Sequence, residues 1–107
     1  RRWAFEEFSQ RRGDFALAGI ALFYDLDGER RAQNVHIGVI GATDRPRRLP
    51  GAEAALNGQA LSEDVIAKAC AAASAEVDPP TDIHGSAEYR RSLVGTLLQR
   101  ALVKASR

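Results

Sequence analysis

The fold of this chain is decided by the stretch Phe15–Val39, FALAGIALFYDLDGERRAQNVHIGV. Its first part, Phe15–Tyr24, is apolar and divides into two sets of alternating side chains, as expected for a strand. The next residues, Asp25–Glu29, are rich in turn formers. A second alternating run follows from Gln33 to Gly41, before Asp44 and Pro46 stop regular pairing. The stretch therefore predicts a β-hairpin.

The chain from Pro50 onward is predicted to be helical, because it is alanine-rich and its apolar residues recur at intervals of three and four. Pro50 suits a first helical position, and Asn57-Gly58 makes a plausible end for this short helix. Ser62 can cap a second helix that runs to about Glu76. Ser86 can cap a third helix with a continuous apolar stripe.

Strands precede helices without alternation, which favours an α+β fold over a doubly wound parallel sheet. We expect an antiparallel sheet packed on one face by three helices. A third, shorter strand through Arg47–Leu49 fits this sheet. The 107 residues suit a single domain. Because methionine is absent, we expect the chain to be a piece of a longer polypeptide.

The overall charge argues against a dedicated nucleic-acid binder. Fifteen Lys and Arg residues against fourteen Asp and Glu leave a formal charge of +1, whereas such binders are usually more basic. The cluster Arg45–Arg48 is either solvated surface or a contact for an acidic partner. A single cysteine excludes an internal disulfide, and no apolar run is long enough to span a bilayer. These features predict a soluble, cytoplasmic setting.

Several motifs have a structural explanation that we prefer to a functional one. Asp25-x-Asp27-Gly28 lacks the remaining ligands of a calcium loop and suits a hairpin turn. Gly38–Thr43 is not a phosphate loop, because its spacing differs and Pro46 prevents a helix from following directly. Cys70 lies inside a predicted helix, where a thiol usually behaves as an apolar group.

No residue pair forms a catalytic or metal-binding constellation. His36 and His84 lack neighbours at metal-ligand spacing, and His36 is expected on a partly exposed strand face. Asp14 is the most interesting carboxylate. It is either an ion pair or backbone cap that fixes the strand entry, which we favour, or a group facing a ligand. Glu6 and Glu7 lie on a short segment with Trp3 and other aromatic residues that are expected to anchor the chain, and one of the two acids could face a ligand.

Three motifs in order resemble a known family. They are, in chain order, Phe5-Glu6-Glu7-Phe8-x-x-Arg11-x-Gly13-Asp14-Phe15-Ala16, then Ala54-Ala55-Leu56-Asn57-Gly58, and Asp82-x-x-Gly85-Ser86-Ala87-Glu88-Tyr89-Arg90-Arg91 with Arg100-Ala101-Leu102. Together they resemble the C-terminal domain of the FAD-binding medium subunit of molybdenum hydroxylases of the carbon monoxide dehydrogenase and xanthine dehydrogenase type. The resemblance covers essentially the whole chain.

The resemblance implies three or four antiparallel strands packed against three helices. It implies FAD in the full-length subunit, held mostly by N-terminal FAD-binding domains, with weak or no FAD binding by this chain alone. Molybdenum cofactor and iron-sulfur clusters are implied on partner subunits, which pass electrons to the flavin. The residues implied to line or tune the flavin site are Glu6, Gly13 and Asp14. No catalytic residue and no metal ligand is implied.

An alternative of a different class is a free-standing protein-interaction or dimerisation module without catalytic activity. Such a module would use the exposed sheet face or the Arg45–Arg48 cluster to bind its partner. Similar sheet-and-helix domains serve both purposes, so the fold by itself does not decide between them. The substrate and the electron acceptor lie beyond what these residues indicate.

Overall fold

A computed structural model describes residues 1–8, 18–40, 47–77 and 86–106. One antiparallel sheet has the strand order β1-β2-β3-β4, and three helices accompany it. The elements are β1 (Arg2–Phe8), β2 (Ala18–Leu26), β3 (Ala32–Ile40), β4 (Arg47–Arg48), α1 (Pro50–Leu56), α2 (Glu63–Glu76) and α3 (Ala87–Ala105). The predicted α+β class is confirmed.

The hydrophobic core lies between one face of the sheet and the helices. Alternation along β2 places Ile20, Leu22 and Tyr24 on this face, each at most 1% exposed. Register pairs Ile20 with Val39 and Leu22 with Ile37, so buried side chains of neighbouring strands stand side by side. Helix α3 covers β1 and β2, and α1 lies against β3. The other face carries no helix among the described residues.

The predicted helix bounds are confirmed to within a residue. Ser62 and Ser86 are N-caps whose side chains accept hydrogen bonds from the backbone N–H groups of Val65 and Tyr89. The predicted end at Asn57-Gly58 is also correct, and Gly58 has a φ of +79°, which favours glycine.

The hairpin turn begins later than the sequence pattern predicts. Asp25 pairs with Gln33 and Leu26 with Ala32, so both residues belong to β2 and the predicted start at Asp25 is wrong. The register shifts after Phe23, and Asn34 has a φ of +53°. This local irregularity lets the ladder continue for two more residue pairs. The predicted residues Phe15–Leu17 and Gly41 lie outside the described ranges.

Asp27 organises the turn through its carboxylate. Oδ1 accepts the backbone N–H groups of Glu29 and Arg31, both at 2.9 Å. Oδ2 accepts Nε of Arg31 at 3.0 Å and Nε2 of Gln33 at 3.2 Å. These hydrogen bonds, with the one from the Arg31 backbone first, lower the pKa of Asp27 to about 2. The residue predicted as a turn former therefore acts as a turn former.

Stability should depend on Asp27 ionisation in acid. Because the folded pKa lies near 2 and the unfolded value near about 3.9, the stabilisation is complete above about pH 4 and disappears as pH falls through 2. We expect Asp27→Asn to be less stable than wild type at pH 5, with a difference that shrinks towards pH 2. Urea midpoints measured between these pH values check this. A difference independent of pH would contradict it.

Helix α1 completes the outer edge of β3 with side chains. Asn57 accepts the backbone N–H of Val35 through Oδ1 at 3.0 Å, and Glu53 accepts that of Ile37 through Oε2 at 2.8 Å. An unpaired buried N–H would cost free energy, so these two acceptors replace hydrogen bonds that a neighbouring strand would otherwise supply. Beyond them, β4 pairs with Gly38 and Val39.

Two tertiary contacts hold the ends of the elements. Leu49 makes no side-chain cap for α1. Instead Glu76 of α2 accepts the N–H groups of Gly51 and Ala52 at 3.0 and 2.7 Å, which satisfies donors at the positive end of the helix. At the edge of the sheet, Arg2 Nη1 donates to the carbonyl oxygen of Ala105 at the end of α3, at 3.2 Å.

Candidate functional site

An open, apolar shelf lies on the sheet face that the helices leave uncovered. It has a volume of about 340 Å³. Phe5 and Ile40 are 40% and 37% exposed, which is unusual for large apolar side chains within a sheet. The lining comes from Phe5, Gly19, Ala21, Gly38, Val39, Ile40, Arg47 and Arg48. The shelf is thus an apolar floor with two cations at one side.

The flat floor follows from strand register. Phe5 of β1 pairs with Ala21 of β2, which pairs with Gly38 of β3. From β1 to β3 the outward side chains in this row decrease in size, from an aromatic ring to a methyl group to a hydrogen atom. A Cβ built on Gly38 would meet nothing within 4 Å, so the space above this strand is open. At Gly19 the space is already filled, because a Cβ there would lie 2.9 Å from Cγ1 of Ile40.

The cation beside the shelf is fixed by a buried acid. Arg48 donates from Nε to Oε2 and from Nη2 to Oε1 of Glu53, both at 2.9 Å. Glu53 is only 7% exposed, whereas the side chain of Arg48 is 58% exposed. Hydrogen bonding to Glu53 raises the pKa of Arg48. A planar guanidinium bound by two parallel hydrogen bonds has a defined direction.

Glu6 lies on the other face of the sheet. It pairs with Ile20, a core residue, so its side chain points towards the helices while that of Phe5 points to the shelf. There it lines a separate depression of about 460 Å³ together with residues of α3, namely Gln99, Arg100, Val103 and Lys104. The structure therefore separates Glu6 from the shelf by the thickness of the sheet.

The other two residues implied by the resemblance, Gly13 and Asp14, lie outside the described residues. They belong to the segment 9–17 that joins β1 to β2. The described ends of this segment are Phe8 and Ala18, which pair with each other. Glu7 pairs with Gly19, a shelf residue, so β1 ends and β2 begins at the end of the sheet that carries the shelf.

A second exposed aromatic group occupies the opposite end of the same sheet face. Phe23 stacks on His36 with ring centroids 4.4 Å apart, and the Arg1 guanidinium lies 5.0 Å from the Phe23 centroid. Trp3, which pairs with Phe23, is 72% exposed. His36 is thus a partly exposed strand residue, as predicted. Together with the shelf, these residues make the uncovered face strongly apolar.

The remaining candidates have structural positions. Cys70 is half-buried within α2, and burial raises the pKa of its thiol, which disfavours the nucleophilic thiolate. Tyr89 packs α3 against the sheet through an edge-to-face contact with Phe8, with ring centroids 6.4 Å apart. Across the described ranges, no group of three acidic, His or Cys side chains is placed to hold a metal ion. His84 lies outside these ranges.

The shelf was not predicted from the sequence, because its lining residues come from four strands. One signal was present. The small residues Gly19, Ala21 and Gly38 occupy the outward positions of two predicted strands, where polar side chains are usual.

None of the helices in the part of the chain that the structure describes is long and apolar enough to cross a membrane.

Comparison with known proteins agrees with this architecture. A family model described as the CO dehydrogenase flavoprotein C-terminal domain matches residues 3–105. The medium subunit of nicotine 6-hydroxylase from Paenarthrobacter nicotinovorans is 40% identical over 103 residues, which are 96% of this chain and 36% of that subunit. The medium chain of carbon monoxide dehydrogenase from Hydrogenophaga pseudoflava is 29% identical over 100 residues, 94% of this chain and 34% of the relative.

Solved structures give the same result. Carbon monoxide dehydrogenase from Hydrogenophaga pseudoflava superposes with a TM-score of 0.92 at 31% identity, covering 98% of this chain and 36% of that chain. Quinoline 2-oxidoreductase from Pseudomonas putida 86 superposes with a TM-score of 0.88 at 31% identity, with the same coverage. This chain spans about a third of the length of the relatives it matches. It belongs to the family of CO dehydrogenase flavoprotein C-terminal domains.

Proposed function

We propose that this chain is the C-terminal domain of the FAD-binding subunit of a molybdenum hydroxylase type oxidoreductase, in which it forms one wall of the flavin site. The observation that carries the proposal is the apolar shelf on the uncovered sheet face of a chain from this family. The family membership does not favour the alternative of a free-standing interaction module.

The shelf fits a flavin ring in shape and in chemistry. A flavin is planar, with an apolar edge and an edge that carries carbonyl groups. Phe5, Ala21 and Gly38 offer a low apolar surface across three strands, and aromatic rings favour stacked or edge contacts with a planar partner. Arg48 supplies donors at the side of the shelf for the carbonyl edge. When bound, FAD supplies the electron-transfer chemistry, while the protein orients it and sets its electrostatic surroundings.

The residues implied by the family resemblance remain part of this proposal. Glu6 lies on the helix side of β1, so its carboxylate would tune a ring on the shelf through the sheet, and Gly13 and Asp14 would line or tune the flavin site as the resemblance implies. A carboxylate held near the ring changes its reduction potential and its access to an electron acceptor. The chain itself contributes no catalytic residue.

The remainder of the proposal concerns the complete enzyme. The N-terminal FAD-binding domains of the same subunit would hold most of the cofactor and cover the uncovered sheet face. Partner subunits would hold the iron-sulfur clusters and the molybdenum cofactor, and electrons would pass from them to the flavin. The substrate is then selected on another chain. We place the complex in the cytoplasm.

A valine at Gly38 tests the shelf directly. The backbone of Gly38 needs no positive φ, and a Cβ there meets nothing within 4 Å, so β-branched Gly38→Val should preserve or improve strand stability. Its side chain would occupy the space proposed for the ring. We expect the full-length subunit carrying Gly38→Val to retain FAD at least tenfold less tightly than wild type, measured by flavin fluorescence after dialysis.

The control is Gly28→Val in the hairpin turn, where a Cβ also meets nothing within 4 Å and the shelf is distant. This variant should retain FAD normally. Normal FAD retention by Gly38→Val, with thermal stability unchanged, would exclude the shelf as the flavin wall.

We expect the 107-residue chain alone to bind FAD weakly or not at all.

A further inference from the structure

We infer that Glu53 is a positioning residue that aims the Arg48 guanidinium at the flavin and thereby raises the reduction potential of the flavin. The inference rests on the proposed function, because it concerns the ligand of the same shelf. It assigns a role in the cofactor's electrostatics to a helix residue whose side chain does not line the shelf.

Glu53 is itself immobilised. It lies on the short helix α1, is 7% exposed, and its Oε2 accepts both the Ile37 N–H at 2.8 Å and Arg48 Nε at 2.9 Å. Oε1 accepts Arg48 Nη2 at 2.9 Å. Three hydrogen bonds therefore connect the carboxylate to β3 and to β4. A guanidinium paired in this way cannot rotate without breaking two charge-assisted hydrogen bonds.

The two arginines that line the shelf differ in whether a hydrogen-bonded carboxylate holds the guanidinium in place. Arg47 and Arg48 are adjacent in β4, both are exposed, and both line the shelf. Glu53 holds Arg48, whereas the side chain of Arg47 makes no hydrogen bond or ion pair with any described residue. An unanchored arginine spreads its charge over many rotamers in solvent, where screening is strong. The anchored guanidinium places its charge at one position beside the apolar floor.

A fixed positive charge beside the shelf favours the more negative, reduced form of a bound flavin. Since Glu53 carries a negative charge of its own, its replacement distinguishes positioning from simple charge. If Glu53 acted only through its charge, Glu53→Gln would raise the potential. If it acts by holding Arg48, the same variant lowers the potential, because the amide group offers a donor where Arg48 needs an acceptor.

The experiment measures the two-electron midpoint potential of the flavin in the full-length subunit, equilibrated with a redox dye. For Arg48→Gln we expect a tenfold less favourable equilibrium constant for reduction, equal to about 30 mV for a two-electron couple. Glu53→Gln should shift the potential in the same direction. Arg48→Lys, which keeps the charge but lacks the planar fork, should give a smaller decrease.

Matched variants make the outcome decisive. Arg47→Gln removes the same charge from the unanchored neighbour and should change the equilibrium constant less than threefold. Arg31→Gln at the distant hairpin turn should change nothing. A potential that rises or stays constant in Glu53→Gln overturns the inference, as does a wild-type potential in Arg48→Lys or equal shifts for Arg47→Gln and Arg48→Gln. If wild-type subunit lacks bound flavin, the proposed function itself fails, which is a separate result.

Discussion

Replacement of Glu53 by alanine is expected to lower the free energy of unfolding of the 107-residue chain by about 3 kcal/mol. The Ile37 N–H would lose its acceptor in a buried position, and the link between α1 and β4 through Arg48 would be lost. Breaking a fully buried ion pair can cost more. Here the exposure of Arg48, 58% for its side chain, lets water replace part of the lost interaction.

Thermal and urea unfolding check this prediction. A loss of about 3 kcal/mol corresponds to a decrease of about 15 °C in Tm for a domain of this size. The matched control is Glu29→Ala, which removes an acid that is 74% exposed and paired with Arg31 on the surface. It should leave Tm nearly unchanged. A loss below about 1 kcal/mol in Glu53→Ala would mean that the edge of β3 is satisfied without this carboxylate.

The second large effect is expected at Gly95, where α3 crosses α2. A Cβ at this position would lie 2.6 Å from Oγ of Ser74 and 3.3 Å from the backbone oxygen of Cys70. Oγ of Ser74 is also committed, because it donates to the Arg91 carbonyl at 2.8 Å. A larger side chain must therefore separate the helices or break this hydrogen bond.

We expect Gly95→Leu to destabilise the chain by about 2 kcal/mol, even though removing a helical glycine by itself gains up to about 1 kcal/mol. Thr96→Leu, at the next and exposed position of α3, should cause no loss. A double-mutant cycle of Gly95→Ala with Ser74→Ala should show coupling, since the second change removes the atom nearest the new Cβ. Additive effects would place the packing constraint elsewhere.

Local patterns were sufficient for most secondary structure. The helix caps Ser62 and Ser86, the end at Asn57-Gly58 and the hairpin were all predicted, because each depends on residues within a few positions of one another. The turn was predicted two residues early, since Asp25 is a turn former that here continues the strand. The irregularity near Asn34 that permits this has no clear signal in composition.

Strand β1 was harder to predict than its neighbours. It was expected only as a segment anchored by aromatic residues. Its aromatic side chains point to both faces, with Trp3 and Phe5 outward and Phe8 inward, which obscures the alternation of apolar and polar residues that identifies a strand. An apolar outer face is unusual for a sheet exposed to water. The feature that obscured the strand in the sequence is an exposed apolar surface, which is typical of an interaction site.

The candidate site also includes residues that the sequence indicated and residues that only the structure revealed. The resemblance led to Glu6, Gly13 and Asp14, which are close together along the chain, and their role remains a prediction. The shelf and the Glu53–Arg48 pair connect residues far apart in sequence, from Phe5 on β1 to Gly38 on β3. Nothing near Glu53 in the sequence distinguishes it from the exposed acids of other helices.

The sequence by itself determined the fold class, the hairpin, the helix bounds and the family, because turn chemistry, capping and hydrophobic period act over short distances. Only the tertiary structure decided which distant groups form hydrogen bonds with one another and which side chains line a common surface. Glu76 caps a helix that lacks its own cap, Glu53 and Asn57 complete the edge of β3, and small outward residues align into a shelf. These outcomes depend on strand register and helix placement, which bring distant residues within hydrogen-bond range only after the core has packed.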